Sequence, residues 1–142
     1  MKKILSLLLT VSLLCCLGGT VVAETAPQPR LNNTTAATLA FGISDSGSAN
    51  VVVTCHGESD IMTKATAVTY IEKKTLLFFW TRVDIGTTDN VWTETDIGCD
   101  FYASNTVQLS SKGTYRAVTQ LTVSSSGGAD DVIDIDKEAK YE

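Results

Sequence analysis

The sequence predicts an all-β protein, a single β-sandwich of about seven antiparallel strands behind an export signal. Beyond residue 35, apolar and polar side chains alternate with a period of two, and no helical period occurs after residue 23. Turn-forming residues interrupt this alternation roughly every 8–12 residues. Both prolines, Pro27 and Pro29, precede the alternating region, so no proline interrupts a predicted strand.

Length and composition limit the class of protein. The chain has 142 residues, which is enough for one domain, and its 44% of hydrophobic residues can supply a core. Only 19% of the residues are charged, which argues against a disordered chain. The formal net charge of −5 argues against nucleic acid or an anionic membrane as partner, because both bind clustered lysine and arginine.

The first segment has the pattern of a secretory signal peptide. Lys2 and Lys3 precede an apolar run over residues 4–17, and Ala23 supplies a small residue for cleavage. We expect residues 1–23 to be removed and the protein to be secreted; retention of the segment as an uncleaved anchor is the alternative. Because the segment contains two lysines and no acid, its removal leaves 119 residues with a net charge of −7.

The next segments are a linker and a hairpin. Residues 24–35 are polar, contain both prolines and lack periodicity, so we expect a flexible linker ahead of a sandwich domain over residues 36–142. Apolar residues alternate over 36–43 and again over 51–56, and the residues between them are rich in Asp, Ser, Gly and Asn. This arrangement predicts a β-hairpin.

Residues 61–71 and 75–83 are predicted strands separated by a turn at residues 72–74. The second of these strands begins with apolar residues on both faces, which predicts that its first half is covered on both sides. An acidic loop follows over residues 85–96, and Trp92 within it is expected to fold back onto the core. The remaining predicted strands cover residues 97–102, 106–109, 115–123 and 131–137.

One local pattern favours a sandwich over a small barrel, the architecture that remains as the alternative. The segment from Leu109 to Tyr115 resembles the tyrosine corner of fibronectin type III and immunoglobulin-like domains. The resemblance implies that Leu109 ends one strand, that the Tyr115 hydroxyl bonds back across the corner, and that Trp80 is a central core residue. The chain also resembles small exported immunoglobulin-like proteins of Gram-positive bacteria. This resemblance does not imply any catalytic or binding residue.

The cysteines suggest one disulfide. Cys15 and Cys16 leave with the signal peptide, and the remaining pair, Cys55 and Cys99, favours a disulfide in an exported domain; two buried free thiols are the alternative. In immunoglobulin domains the second cysteine lies two residues after the corner tyrosine, where this chain has Ala117. We therefore expect Cys55 and Cys99 to join the second and fifth strands of one sheet rather than the two sheets.

No catalytic group and no cofactor are expected. His56 is the only histidine, and on a strand its side chain points away from that of the adjacent Cys55, which excludes that cysteine and histidine as nucleophile and base. Two cysteines and one histidine also make a poor zinc site. Acidic residues cluster over 84–100 and over 130–138; they suggest either a calcium site or a charged surface that keeps the domain soluble.

Aromatic residues near the acidic loop are the candidate binding residues. Trp92, Phe101 and Tyr102 are suited to stacking on a sugar ring or anchoring a protein partner. The expected function is therefore an exported, non-enzymatic binding or adhesion module for a protein or glycan. The alternatives are an inhibitor or immunity-type protein acting on an exported partner and a weak carbohydrate-binding module. No membrane contact beyond the signal peptide is expected, and the oligomeric state is left open.

Overall fold

The computed structural model describes residues 31–142, which form two antiparallel β-sheets and a short 3-10 turn at Thr88–Asn90. The predicted signal peptide, 1–23, and most of the predicted linker lie outside these residues. In the described part of the chain, no helix has the length and apolar character needed to cross a bilayer. The eight strands are β1 (Thr34–Ile43), β2 (Ser48–Gly57), β3 (Met62–Thr75), β4 (Phe79–Arg82), β5 (Trp92–Ile97), β6 (Asp100–Gln108), β7 (Gly113–Ser125) and β8 (Asp131–Tyr141).

The sheets form a β-sandwich, which confirms the predicted fold class. One sheet has the order β1-β2-β6. The other has the order β4-β3-β7-β8, and β5 also pairs with β3. Strands β4 and β5 share one edge of β3 because they pair with different halves of that 14-residue strand. This topology is compatible with an immunoglobulin-like domain.

The core lies between the sheets and is built from alternate residues of the central strands. Strand β7 buries every second side chain from Tyr115 to Val123, as its sequence pattern predicts. Strand β2 does the same from Ala49 to Cys55. The predicted hairpin is present, since β1 pairs with β2 along nearly its whole length.

Strand β1 begins at Thr34, so that it overlaps the last two residues of the predicted linker. The reason is a buried carboxylate on the other sheet. Asp131, at the start of β8, accepts the backbone N–H groups of Asn32, Asn33 and Thr34. The Asn33 side chain donates to the carbonyl oxygens of Val123 and Ala129, so this polar segment is ordered by the β7–β8 connection.

Two other segments differ from their predictions. Residues 97–102 and 106–109, expected as two strands, belong largely to the single strand β6, because residues 100–108 all pair with β2. The predicted acidic loop contains strand β5, which pairs with β3 and places Trp92 against the core. The polar residues of this segment occupy the exposed positions of an edge strand, which a loop prediction does not anticipate.

Tyr115 is buried at the corner between β6 and β7. Its hydroxyl donates to the carbonyl oxygen of Ser111 (2.5 Å), and Leu109 is buried beside the corner. The Leu109 N–H in turn donates to the carbonyl oxygen of Gly47 (2.9 Å), in the β1–β2 turn. The β1–β2 turn, the β6–β7 loop and the β3–β4 hairpin therefore lie at one end of the sandwich, which we call the hairpin end. The start of β1 lies at the opposite end.

Candidate functional site

The hairpin tip, defined as residues Leu76–Phe79, is the most exposed apolar feature of the described chain. Leu76 and Phe78 are each 83% exposed, Leu77 is 78% exposed and Phe79 is 66% exposed. The prediction that the first half of 75–83 is covered on both faces is therefore wrong. Four side chains of this size present roughly 500 Å² of apolar surface, which is the size of the largest apolar patch on a typical monomer, a patch that is often functional.

The tip is exposed because the turn of the β3–β4 hairpin lies past the last pairs that β3 makes with β5 and β7. The last pair between β3 and β7 is Lys73 with Tyr115, and β5 pairs with β3 only as far as Thr69. Beyond Lys73, β4 is the one strand of residues 31–142 that pairs with β3. The predicted turn at 72–74 is in fact part of β3, and the chain reverses three residues later through the apolar residues themselves.

The turn requires an unusual backbone conformation. Leu76 has φ 61°, in the left-handed region that glycine or asparagine normally occupies. A leucine there costs about 1–2 kcal/mol of backbone free energy. Because the Leu76 side chain is almost fully exposed, packing within the domain does not offset this cost. The sequence thus keeps an apolar side chain at a position where the fold favours glycine.

Trp80 lies directly behind the tip, and the expectation that it is a central core residue is wrong. It is half-buried on the outer face of an edge strand, between two cations. The Lys74 ammonium lies 5.5 Å from the indole centroid and the Arg116 guanidinium 4.4 Å from it. Arg116 also pairs with Glu72 at 2.7 Å. This arrangement holds an amphipathic aromatic ring and basic groups next to the apolar tip.

The opposite face of the hairpin is also basic. Lys73 lies on this face, where its ammonium donates to the Ser111 hydroxyl (2.6 Å) and lies 5.6 Å from the Tyr115 ring centroid. Beside it is a shallow cavity of about 220 Å³ whose lining includes Lys73, Arg82, Ser111 and Asp84. The Arg82 guanidinium lies on the Trp80 face instead, where it stacks on Tyr70, 3.7 Å from the ring centroid. Cations therefore flank the tip on both faces of the hairpin.

Charge is distributed unevenly along the long axis of the domain. Of the eight lysines and arginines in residues 31–142, six lie at the hairpin end: Lys73, Lys74, Arg82, Lys112, Arg116 and Lys140. Five carboxylates share that end: Asp45, Glu72, Asp84, Glu138 and Glu142. The opposite end has one lysine, Lys64, and six carboxylates: Glu58, Asp60, Asp96, Asp100, Asp130 and Asp131. The net charge is therefore near +1 at the hairpin end and −5 at the other.

The structure does not bring the three predicted binding residues together. Phe101 is 2% exposed and faces the core, whereas Tyr102 is 66% exposed on the outer face of the same strand. Trp92 is half-buried at the start of β5, in the other sheet. Adjacent strand residues point to opposite faces, so Phe101 and Tyr102 do not share a surface.

Cys55 and Cys99 are free thiols in the structure, so the predicted disulfide is not formed. Cys99 lies in the connection between β5 and β6, not on a fifth strand, and its carbonyl oxygen accepts the N–H of Gly57 (2.8 Å). The residue opposite Cys55 in the ladder is Phe101. Cys99 therefore lies just before β6, two residues away from the position opposite Cys55.

His56 and Cys55 point to opposite faces, as their adjacent positions predict. Cys55 is fully buried, while His56 is exposed and its Nδ1 lies 2.7 Å from an Asp100 carboxylate oxygen. Cys99 contacts the other oxygen of that carboxylate at 3.9 Å. The carboxylate therefore lies between thiol and imidazole, an order that does not let the histidine deprotonate the thiol. Among residues 31–142, no three His, Cys, Asp or Glu side chains converge as metal ligands.

Sequence reasoning missed the hairpin tip, although a signal was present. The apolar run is bracketed by Lys73 and Lys74 on one side and by Arg82 on the other. Charges on both sides of four apolar residues are typical of an exposed amphipathic turn as well as of a buried strand. The sequence matches no protein-family model, and no curated protein is similar to it.

Proposed function

We propose that this protein is an exported, non-enzymatic binding or adhesion module that contacts its target through the hairpin tip. The single observation that carries the proposal is the exposure of Leu76, Leu77, Phe78 and Phe79 on a projecting hairpin. Single exposed apolar side chains are common on soluble domains, but a cluster of four on one projecting turn is typical of an interaction site. The left-handed backbone at Leu76 supports the same conclusion, because a turn selected for stability alone would favour glycine there.

The other parts of the proposal rest on separate observations. Export is supported by the basic start and apolar run over residues 2–17. An immunoglobulin-like fold is supported by the Tyr115–Ser111 hydrogen bond and the strand order, and kinship with exported immunoglobulin-like proteins of Gram-positive bacteria is part of the proposal. A non-enzymatic role is supported by the position of Asp100 between the thiol of Cys99 and the imidazole of His56.

Binding of the full chain to intact cells of the organism that exports it tests this function. The test variant is Phe78→Asp, and its matched control is Ile97→Asp, since both side chains are 83% exposed and Ile97 lies on β5, toward the opposite end. We expect Phe78→Asp to lower the bound fraction at least tenfold and Ile97→Asp to leave it unchanged. Equal binding by the two variants would refute the assignment of the site to the hairpin tip.

A further inference from the structure

We propose that the target of the hairpin tip is an anionic phospholipid surface, into which the tip inserts. This inference rests on the proposed function, because it names the partner of the same site. The apolar side chains, the amphipathic aromatic ring and the cations follow one another from the tip toward the body of the domain. Hydrocarbon, interface and headgroups follow one another in the same order across a membrane leaflet.

The convex shape of the tip favours a lipid bilayer as its target, because its side chains can insert between the lipids. Leu76, Leu77 and Phe78 form the turn itself, and each is more than three-quarters exposed. A convex tip that projects past its own sheet offers little surface to a flat protein partner, but it can place all of its side chains in the acyl region at once. The backbone groups that β3 and β4 turn toward each other are paired up to Thr75 and Phe79, which reduces the number of unpaired polar groups carried toward the membrane.

The aromatic and basic groups lie at the depth where an inserted tip would meet the headgroups. Trp80 directly follows the tip, and tryptophan is enriched at membrane interfaces because its ring is apolar with one polar N–H. Lys73, Lys74 and Arg82 surround it on both faces of the hairpin. The cavity beside Lys73 is a place for a lipid phosphate, which the Lys73 ammonium and the Ser111 hydroxyl would attract; the Asp84 carboxylate also lines it.

Charge complementarity also sets the orientation and argues against a second copy of this chain as the occupant. The hairpin end is near +1 and the other end near −5, so an anionic surface attracts the tip and repels the opposite end. A symmetric contact between two tips would place the same three cations against one another, which costs free energy. The net charge of −5 led to the expectation that the protein does not bind an anionic membrane. That value is the sum over the whole chain, and it hides the difference in charge between the two ends of the domain.

The fluorescence of Trp80 provides a test that reports on the hairpin alone. In a Trp92→Phe background, Trp80 is the only tryptophan of the chain. Residues 1–23 contain no tryptophan, so insertion of that segment into the membrane gives no tryptophan signal of its own. Vesicles of phosphatidylglycerol and a phosphatidylcholine brominated on its acyl chains should quench Trp80 and shift its emission to the blue. Vesicles of phosphatidylcholine alone should bind about tenfold or more weakly, because each cation near an anionic surface strengthens binding about fivefold.

Variants make the test specific to the tip. In the same background, Phe78→Asp should lower the affinity for the anionic vesicles at least tenfold, whereas Ile97→Asp should not change it. Circular dichroism should show that both variants fold, since both side chains are on the surface. Absence of Trp80 quenching on anionic vesicles, or quenching that Phe78→Asp does not reduce, would overturn the membrane inference. If cell binding still depends on Phe78 in that case, the proposed function stands and the target is a protein with a pocket for the tip.

Discussion

The Asp131 carboxylate accepts the backbone N–H of Asn33 at 2.8 Å, and this contact connects the first described strand to the last. Two further N–H donors, those of Asn32 and Thr34, point at the same carboxylate. Asp131 is 4% exposed, and no lysine, arginine or histidine of residues 31–142 pairs with it. The negative charge is thus held mainly by backbone N–H groups and not by a cation of residues 31–142, at the point where the chain enters the sandwich.

This contact predicts a dependence of stability on pH. Burial alone would raise the pKa of the Asp131 carboxyl, but the N–H groups of Asn32, Asn33 and Thr34 outweigh burial and lower it. A pKa that is lower in the folded than in the unfolded chain stabilises the fold above the ordinary carboxyl value of about 3.9. That stabilisation is lost as pH falls through the lower folded value.

Urea unfolding of wild type and Asp131→Asn between pH 7 and pH 2 checks this prediction. We expect the variant to be less stable by about 2–4 kcal/mol at pH 7, because charge-assisted hydrogen bonds to a buried group are lost. The difference should begin to shrink below about pH 4, where the carboxyl group of the unfolded chain takes up its proton, and it should be lost as pH falls through the lower pKa of the folded protein. Asp136→Asn, which changes an exposed carboxylate on the same strand, is the control. A difference that stays constant over this pH range would contradict the assignment.

The Thr69 and Thr119 hydroxyls form a hydrogen bond of 2.9 Å inside the core, between directly opposed residues of β3 and β7. Either Thr→Val substitution keeps the shape but leaves the other hydroxyl buried without a partner, which should cost about 1–3 kcal/mol. The double variant removes both hydroxyls and should recover most of that loss. Free energies of unfolding for the four proteins form a double-mutant cycle, and purely additive effects would refute this coupling.

The two cysteines should differ in reactivity. Burial raises the pKa of the Cys55 thiol, and the side chain is inaccessible, whereas Cys99 is half-exposed. Folded protein treated with iodoacetamide without reductant should therefore carry the label at Cys99 and acquire it at Cys55 only after unfolding. Peptide mass spectrometry separates these positions from Cys15 and Cys16. Protection of both cysteines until reductant is added would instead mean that they form a disulfide.

Alternation was enough to predict the sandwich and most of its core. From Tyr115 to Val123, the buried side chains alternate with Arg116, Val118, Gln120 and Thr122, which point outward, and a strand is the only regular structure that buries every second side chain. The same reasoning placed Cys55 inward and His56 outward. In these strands the alternation of apolar side chains and the position of the strand in the sheet bury the same face. The sequence alone was therefore sufficient to predict which side chains are in the core.

The hairpin tip could not be predicted in the same way. A continuous apolar run reads as a strand covered on both sides wherever it occurs, and only the register of β3 against its neighbours reveals that Leu77 and Phe78 project past the sheet. The position of Trp80 was missed for the same reason, since its partners Lys74 and Arg116 come from two other strands. Likewise, the clustering of cations at one end depends on topology and not on composition.

The last prediction concerns Leu76, where stability and binding should conflict. Glycine adopts φ 61° without the steric cost that leucine has there, and the exposed Leu76 side chain contributes little packing. Leu76→Gly should therefore raise the free energy of unfolding by about 0.5–1 kcal/mol, the left-handed cost of leucine less the entropic cost of glycine. The same substitution should weaken binding to cells and to anionic vesicles severalfold, because it removes one of the four apolar side chains.

Leu77→Gly is the matched control: Leu77 is similarly exposed, at 78%, but it lacks a positive φ. It should weaken binding to a similar extent without the gain in stability, because glycine there adds flexibility to the unfolded chain and relieves no strain. A protein that becomes more stable while it binds less well would indicate that the turn was selected for its apolar surface and not for its fold. Equal changes in stability for the two variants, or unchanged binding by Leu76→Gly, would mean that Leu76 has no such role.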